Sequence, residues 1–328
     1  MCGLALTINE GGYVLQSCDP AWTFAGTFTA PVSNLGLSSG SDALGEYLEA
    51  GFDFTTGSAH HGTIRVYPDT PIALFSLEYV TGGPNGDAFP VLSTLPGGLH
   101  GLGYWGTFSQ YSFTRPPDAD SPRIFFDDSA NTFILSEASH FMHASITSTS
   151  SGALAVGLDP AIPTVPAGYV QTALLVVEPG INKAFETWGR TLLALGGKTP
   201  VSNSSSVVLS SLGYWTGNAQ SYYYAYDPAR GYEGTLQAVA NEFQSNGIPL
   251  GYLQLDSWWY PKGAHAQWND GADGIYSFGA DPVLFPDGLD GFQAKLGLPL
   301  VTHARWIDAA SPYHGQYQMS GNTIIDPA

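Results

Sequence analysis

The sequence predicts an antiparallel β-sandwich followed by a few parallel strand-helix units. Three observations support this prediction. Up to about Val177 the chain consists of short runs rich in β-branched, aromatic and aliphatic residues, separated by clusters of Gly, Pro, Asn, Asp and Ser. An amphipathic helical pattern and a serine-rich segment come next. Beyond residue 206, strand-like and helical patterns alternate, which is typical of parallel βα architecture.

Residues 1–178 are predicted to form the sandwich domain. The strand-like runs lie at residues 63–67, 72–80, 123–126, 132–135, 153–158 and 170–177. Because many short strands occur here with almost no helical periodicity, an antiparallel sandwich is the expected architecture.

Residues 179–206 are predicted to join two domains through a helix and a loop. Ile181, Phe185, Trp188 and Leu192 recur at steps of four, three and four, so they share one face of a helix. A Gly-Gly pair and a proline end the helical pattern. The polar residues 202–206 are expected to form the loop.

Residues 207–328 are predicted to begin a (β/α)8 barrel of the TIM type. Strands are expected at 207–215, 250–255 and 300–305, and the helices between them carry Leu236 and Phe243, then Leu289 and Phe292. Such units in series build a parallel sheet, either doubly wound or closed. Because no Gly-rich phosphate loop follows the first strand, the barrel is favoured. A whole barrel takes ~250 residues, so we expect about three βα units of a longer, truncated barrel.

The composition limits the ligands that the protein is expected to take. The 328 residues include 28 Asp plus Glu against 10 Lys plus Arg, which gives a formal charge of −18. Because such a surface repels phosphate backbones and anionic lipids, we expect neither a nucleic-acid nor a membrane partner, and neutral ligands suit it better. No signal-peptide pattern and no membrane span are visible in the sequence. Cys2 and Cys18 could pair, but ordinary small residues are the favoured interpretation. The compartment and the oligomeric state stay open.

Asp256 is the central candidate for ligand binding. It follows the predicted strand 250–255, at the end where a parallel barrel delivers side chains to its site. A helix cap or a surface ion pair is the less favoured alternative, because the next helical pattern begins well downstream. Trp258 and Trp259 come next. Since adjacent residues in an extended segment point opposite ways, one of them is expected to pack and the other to face the cavity.

An aromatic stretch follows the first barrel strand. Residues 212–227 contain five tyrosines and Trp215, together with Asn218, Gln220 and Asp227. Flat apolar faces with hydrogen-bonding edges suit a sugar ring, although a tyrosine-rich core edge is an equal alternative for any single tyrosine.

His303 and Arg305 are two positions apart and therefore share one face of the predicted third strand. Both could hydrogen-bond a hydroxylated ligand, or one of them could hold a neighbouring carboxylate in place. The other histidines lack companion ligands, so no metal site is expected. We expect no cofactor either.

With these residues established, residues 212–306 resemble the barrel of retaining α-glycosidases. The resemblance rests on Trp215 with its tyrosine-rich loop, on IPLGYLQLDSWWY at 248–260, and on DPVLFPDGLDGF at 281–292 followed by a glycine and a third strand. The α-glucosidase and α-xylosidase group of glycoside hydrolase family thirty-one is the first candidate, and the α-galactosidase and raffinose synthase group is the second. An N-terminal β-sandwich joined by a helix to the barrel is also similar to the layout of this group.

The resemblance implies a glycoside hydrolase that acts on an α-linked oligosaccharide or glycoside by a retaining, two-carboxylate mechanism. Asp256 matches the acid that binds hydroxyls of the non-reducing sugar. Trp215 and one of Trp258 or Trp259 match the aromatic wall. The third strand, THARW at 302–306, departs from the common pattern, so the correspondence of His303 and Arg305 is weaker.

In this group the nucleophile follows the fourth strand and the acid/base follows the sixth. We therefore expect both catalytic carboxylates beyond Ala328, and we expect this chain alone to be inactive. The alternative is a non-catalytic carbohydrate-binding protein or an inactive fragment.

Overall fold

The computed structural model describes residues 3–105, 110–112, 121–148, 152–217 and 224–325. The part of the chain so described divides into two compact units, Met1–Pro200 and Val201–Ala328. No helix in these ranges is long and apolar enough to cross a membrane.

The first unit consists of antiparallel strands and one long helix. The strands are β1 (Ala5–Asn9), β2 (Gly12–Gln16), β3 (Thr23–Thr27), β4 (Ser33–Asp42), β5 (Gly45–Thr56), β6 (Ser58–Tyr67), β7 (Thr70–Tyr79), β8 (Gly83–Pro84), β9 (Ala88–Leu92), β10 (His100–Trp105), β11 (Gln110–Ser112), β12 (Arg123–Phe126), β13 (Asn131–Glu137), β14 (Ala144–Ser148), β15 (Leu154–Leu158), β16 (Thr164–Val165) and β17 (Tyr169–Pro179). Helix α1 (Ile181–Leu195) follows, and a 3-10 helix spans Phe141–His143.

A large sheet and two smaller sheets form the sandwich. Within the described residues, nine strands make the large sheet in the order β11-β10-β12-β13-β17-β7-β6-β5-β4. Two three-stranded sheets, β1-β2-β3 and β14-β15-β9, and the short pair β16-β8 complete the unit. The predicted antiparallel β-sandwich is therefore confirmed.

The main core lies between the large sheet and the smaller sheets. The large sheet contributes Phe52, Ile64, Phe75, Phe133 and Leu175, and the smaller sheets contribute Leu15, Phe24, Ile146, Leu154 and Val156. Each of these side chains is almost completely buried. Full burial of an aliphatic or aromatic side chain contributes ~1.5–3 kcal/mol, so this layer supplies most of the cohesion of the unit.

Helix α1 covers the opposite face of the large sheet. Its residues Ala184, Phe185, Trp188 and Leu192 pack against a cluster that includes Ile72, Leu74, Ile134, Leu174 and Val176. The central strand β17 is consequently buried on both faces, with neighbouring residues entering different clusters. A strand that is covered on both faces needs apolar residues at every position, which explains the uninterrupted apolar sequence around Leu174.

Cys18 forms a disulfide bond, in contrast to the interpretation of the cysteines as ordinary small residues. The other cysteine of the chain, Cys2, lies outside the described residues. Multi-bridge frameworks and zinc sites have characteristic cysteine spacings, whereas a single bridge has no such signature.

The second unit contains a small parallel sheet and its helices. The elements are α2 (Val207–Ser210), β18 (Leu212–Trp215), α3 (Gly231–Ser245), β19 (Leu250–Leu255), α4 (Gly288–Leu296), β20 (Leu300–Thr302) and the hairpin β21 (Gln318–Ser320) with β22 (Thr323–Ile325). Short 3-10 helices span Asn203–Ser205 and Pro312–Gly315. In the part of this unit that is described, three strands pair in parallel in the order β18-β19-β20. The expected parallel βα units are confirmed.

Two predicted strands are shorter than the sequence indicated. The first was expected at 207–215, but Val207–Ser210 is helical and the strand begins at Leu212. The third was expected at 300–305, but it ends at Thr302. For the third strand the reason is the register, because Thr302 pairs with Leu255, where the described partner strand β19 ends.

The same sequence pattern ends both longer helices of the second unit. Gly247 after α3 and Gly297 after α4 have φ values of 70° and 72°, in the left-handed region that favours glycine. A proline follows each glycine two positions later and begins the approach to the next strand. The recurrence of Gly-Ile-Pro-Leu and Gly-Leu-Pro-Leu is therefore a repeated helix-to-strand turn.

Candidate functional site

The candidate site lies at the carboxyl ends of the three parallel strands. Trp215 is the last residue of β18, Asp256 follows the end of β19, and His303 follows the end of β20. Parallel strands present these ends at one edge of the sheet, where βα proteins place their ligands. Three residues selected from separate segments of the sequence therefore lie at one edge of the sheet.

The carboxylate of Asp256 is held by two hydrogen bonds. The indole Nε1 of Trp215 donates to Oδ2 at 3.0 Å, and the backbone N of Ser257 donates to Oδ1 at 2.6 Å. Asp256 is 9% exposed, whereas Trp215 is 44% exposed. Each carboxylate oxygen retains further acceptor capacity, so hydroxyl donors can still bind beside the half-exposed indole.

Thr216 connects the first two strands directly below this carboxylate. Its Oγ1 accepts from the backbone N of Asp256 at 3.2 Å and from Nε1 of Trp258 at 2.8 Å, and it donates to the carbonyl of Gln254 at 3.3 Å. Thr216 is fully buried. Sequence reasoning missed this residue because a single threonine carries no pattern of its own.

Both adjacent tryptophans are buried, in contrast to the expectation that one would face a cavity. Trp258 is 0% exposed, and its ring stacks on Tyr232 with centroids 4.0 Å apart. Trp259 is 3% exposed and donates from Nε1 to the carbonyl of His303 at 3.0 Å. The segment turns immediately after Asp256, so the alternation of an extended strand does not apply to the two indoles.

His303 lies beyond the strand in which it was predicted. Its backbone N donates to the carbonyl of Leu255 at 2.9 Å, and its Nδ1 shares a hydrogen bond of 3.3 Å with the hydroxyl of Tyr260. Burial lowers the pKa of the imidazole, and the Asp256 carboxylate partly opposes this effect. The ring is therefore neutral at pH 7, as a hydrogen-bonding group rather than a cation.

Arg305 also lies outside the strand, and its guanidinium contacts the neighbouring loop. Nη1 donates to the carbonyls of Gly271 and Asp273 at 3.0 and 2.7 Å, and Nη2 donates to Oγ of Ser257. These described contacts are with carbonyl and hydroxyl oxygens, so they do not include the neighbouring carboxylate that one alternative expected a basic residue to hold.

Lys262 is a second residue that sequence reasoning missed. It is 0% exposed, and its Nζ donates to the carbonyls of Ser257 and Tyr260 at 2.7 and 3.0 Å. Burial lowers the pKa of this ammonium to about 7, with a smaller contribution from Arg305. A lysine in a polar, glycine-flanked loop ordinarily indicates a solvated surface, so the sequence offered no signal of its burial.

The tyrosine-rich stretch divides between packing and the candidate site. Tyr224 lies near the site, since its hydroxyl is 3.4 Å from Oγ of Ser257. Tyr214 packs against Phe243. Asp227 holds Arg230 and the start of α3. Asn218 and Gln220, with two of the tyrosines, lie outside the described residues.

A groove lies elsewhere in the second unit. Its volume is about 510 Å³, and it is lined by residues around Gln244, Pro249 and Leu298, at the amino ends of the strands. It carries no ionisable side chain among its lining residues, so it offers little for catalysis. In the described ranges, no cluster of His, Cys, Asp and Glu could hold a metal ion.

Asp308, a loop acid without a motif, has a structural role. It accepts from the backbone N of Gly274 at 3.2 Å and from that of Ala310 at 2.9 Å. Asp326, another acid for which the sequence shows no motif, lies outside the described residues.

No protein-family profile and no curated protein sequence matches the chain. Solved structures do match it. The α-N-acetylgalactosaminidase NagBb from Bifidobacterium bifidum, in its GalNAc complex, is 15% identical, with a TM-score of 0.54 over 95% of this chain and 60% of that chain. A variant of a glycoside hydrolase family 97 enzyme from Pseudoalteromonas sp. strain K8, in complex with panose, is 9% identical, with a TM-score of 0.54 over 90% of this chain and 52% of that chain.

The chain thus spans less than two thirds of the length of these matched structures. At such low identities the likeness concerns the fold. The protein shares with α-glycoside hydrolases an antiparallel β-sandwich followed by parallel βα units, over part of their length.

Proposed function

We propose that the Asp256 site binds an α-linked sugar, as the recognition part of a retaining α-glycoside hydrolase. The observation that carries the proposal is the Asp256 carboxylate, fixed at a strand end by Trp215 and Ser257 and lying beside the half-exposed indole of Trp215. A sugar presents hydroxyl donors at its edge and an apolar ring face, and this pair of groups complements both.

The proposed role of Asp256 is to position the sugar rather than to break the glycosidic bond. Retaining hydrolysis needs two carboxyl groups ~5–5.5 Å apart, one as nucleophile and one as acid/base. In the resembling group these follow the fourth and sixth barrel strands, whereas three parallel strands are described here. His303, neutral and half-buried beside Asp256, is proposed as a further hydrogen-bonding group of the same site.

The comparisons support a sugar ligand without identifying it. The matched structures include NagBb with GalNAc and the family 97 enzyme with panose, so chains of this fold bind different sugars. We keep the α-glucosidase and α-xylosidase group as the first candidate and the α-galactosidase group as the second.

The test is a sugar-binding experiment with Asp256→Asn. The full chain is titrated with the methyl α-glycosides of glucose, galactose, xylose and N-acetylgalactosamine, and with panose, by ligand-observed NMR. A hydrogen bond to a charged acceptor contributes ~1.5–3 kcal/mol, so the substitution should weaken binding roughly 10- to 150-fold.

The matched control is Asp308→Asn, which removes the same charge from a carboxylate that likewise accepts two hydrogen bonds, in its case both from backbone N–H groups. It should leave the affinity unchanged. Equal affinities of the wild type and Asp256→Asn for a bound sugar would contradict the proposal.

A sugar-binding protein without turnover is the second candidate. Two hydrogen bonds hold the Asp256 carboxylate in place. This candidate is favoured because such a fixed carboxylate can bind a sugar without any catalytic group. Incubation of the chain with each glycoside, followed by NMR of the anomeric protons, separates the two functions. Release of the α-anomer indicates retaining hydrolysis, whereas binding without release indicates the second candidate.

A further inference from the structure

Ser257 holds one oxygen of the Asp256 carboxylate and connects it to several neighbouring side chains. Its backbone N donates to Asp256, its carbonyl accepts from Nζ of Lys262, and its Oγ contacts Arg305 and Tyr224. Ser257 is 0% exposed. Any movement of this residue therefore changes the position of the N–H group that holds Oδ1 of Asp256.

Lys262 holds Ser257 from a well-fixed position. Its own backbone pairs with Gln267 in both directions, at 3.1 and 3.0 Å, and it forms a second bridge with Ile275. The side chain then reaches back to the carbonyls of Ser257 and Tyr260. The ammonium thus fixes both ends of the turn that begins at Asp256.

Placing a cation here is costly, which indicates that its N–H groups are needed. Within the described part of the chain, the hydrogen bonds of the Lys262 Nζ go to backbone carbonyls rather than to a carboxylate. Its ammonium lies 5.4 Å from the ring centre of Tyr224 and 4.9 Å from that of Tyr260. Buried cations destabilise a fold unless hydrogen bonds and ring faces replace water, and an apolar side chain of the same length would avoid that cost.

We propose that Lys262 is a positioning residue that fixes the Asp256 carboxylate through Ser257. The importance of this role for sugar binding rests on the proposed function. The geometric role does not, because it concerns contacts within the second unit alone.

The charged groups around Lys262 make the contact sensitive to pH near neutrality. Burial and the nearby Arg305 lower its pKa to about 7, and Asp281 and Asp270 partly oppose this effect. Lys262 therefore loses its proton as the pH rises through about 7, whereas an ordinary lysine remains charged to ~10. Because bonds from a charged donor are stronger, its hold on the Ser257 carbonyl weakens above that pH.

The experiment follows the indole N–H signal of Trp215, which reports its bond to Asp256, by NMR of the ¹⁵N-labelled full chain. The signal is assigned by its loss in Trp215→Phe. In the wild type it should shift between pH 6 and 8, with a midpoint near 7. Lys262→Gln keeps a donor but does not titrate, so the shift should disappear. His303→Gln is the matched control and should keep the shift, since His303 is another titratable side chain beside Asp256.

A wild-type shift that persists in Lys262→Gln, or that disappears in His303→Gln instead, would overturn the proposal. A second measurement needs no variant at Lys262. The ¹³Cε signal of Lys262 and the Trp215 indole signal should titrate with one midpoint in the wild type, and two separate midpoints would count against the connection.

Sugar titrations of the same samples separate this proposal from the proposed function. Loss of the pH step in Lys262→Gln, in a protein that binds none of the sugars, would support the positioning role and refute the sugar site. If sugar binding weakens in Asp256→Asn and the pH step persists in Lys262→Gln, the sugar site would be supported and the positioning role refuted.

Discussion

Replacing Thr216 with valine should destabilise the second unit, although the two side chains have nearly the same shape. The valine has no oxygen to accept from the backbone N of Asp256 or from the indole of Trp258. Both donors are buried, and an orphaned buried donor costs ~1–3 kcal/mol. The Gln254 carbonyl keeps the backbone N of Thr216 as a donor. The two orphaned donors together predict a loss of about 2–6 kcal/mol.

Hydrogen exchange of the full chain, measured by mass spectrometry, is the suitable assay, because two units need not unfold in one step. Peptides that cover Leu250–Leu255 should exchange faster in Thr216→Val, while peptides from the first unit keep their protection. Thr216→Ser retains the hydroxyl, so its peptides should lose much less protection from exchange. Thr302→Val, at an exposed position of β20, controls for the added methyl. Equal protection of Thr216→Val and wild type would refute the reasoning.

Two further substitutions test one buried acid and one helix end. Burial raises the pKa of Glu137 to about 8, so between about pH 4.5 and 8 the folded chain holds a proton that the unfolded chain has released. The stability of the first unit should therefore fall by up to ~1.4 kcal/mol per pH unit as the pH rises to 8, and Glu137→Gln should remove this dependence in urea unfolding. Gly297→Ala should destabilise the second unit by ~1 kcal/mol, because alanine is strained at a φ of 72°.

The outcomes against these two predictions are equally specific. A pH slope that Glu137→Gln leaves unchanged would mean that another group binds the proton. Gly279→Ala is the control for the helix end, since Gly279 has no left-handed φ and a Cβ there would meet open space. Equal unfolding midpoints for the two alanine variants would contradict the argument from strain.

Local sequence patterns correctly predicted the elements whose bounds depend on their own residues. The strand Leu250–Leu255 was predicted with its observed bounds, and α1 was predicted from its apolar face. The errors arose where the outcome depended on a partner. The end of β20 is set by the end of β19, which no pattern within residues 300–305 records.

The same distinction applies to the candidate site. Asp256 and Trp215 could be selected because strand ends are recognisable in a sequence. Their direct hydrogen bond joins residues 41 positions apart and is visible in the folded chain alone. Thr216, Ser257 and Lys262 are common residue types whose importance comes from burial and contacts, so no sequence pattern distinguished them.

The position of α1 has a consequence for the order in which the first unit is completed during synthesis. The last strand of the nine-stranded sheet ends at Pro179, but the apolar cover of one of its faces is supplied by the 15 residues that follow, Ile181–Leu195. A nascent chain that has emerged from the ribosome only as far as β17 carries an exposed apolar surface around Leu74 and Ile134. Such exposed apolar surfaces bind chaperones and other nascent chains. The risk of aggregation during synthesis therefore falls once α1 has emerged and covers this face.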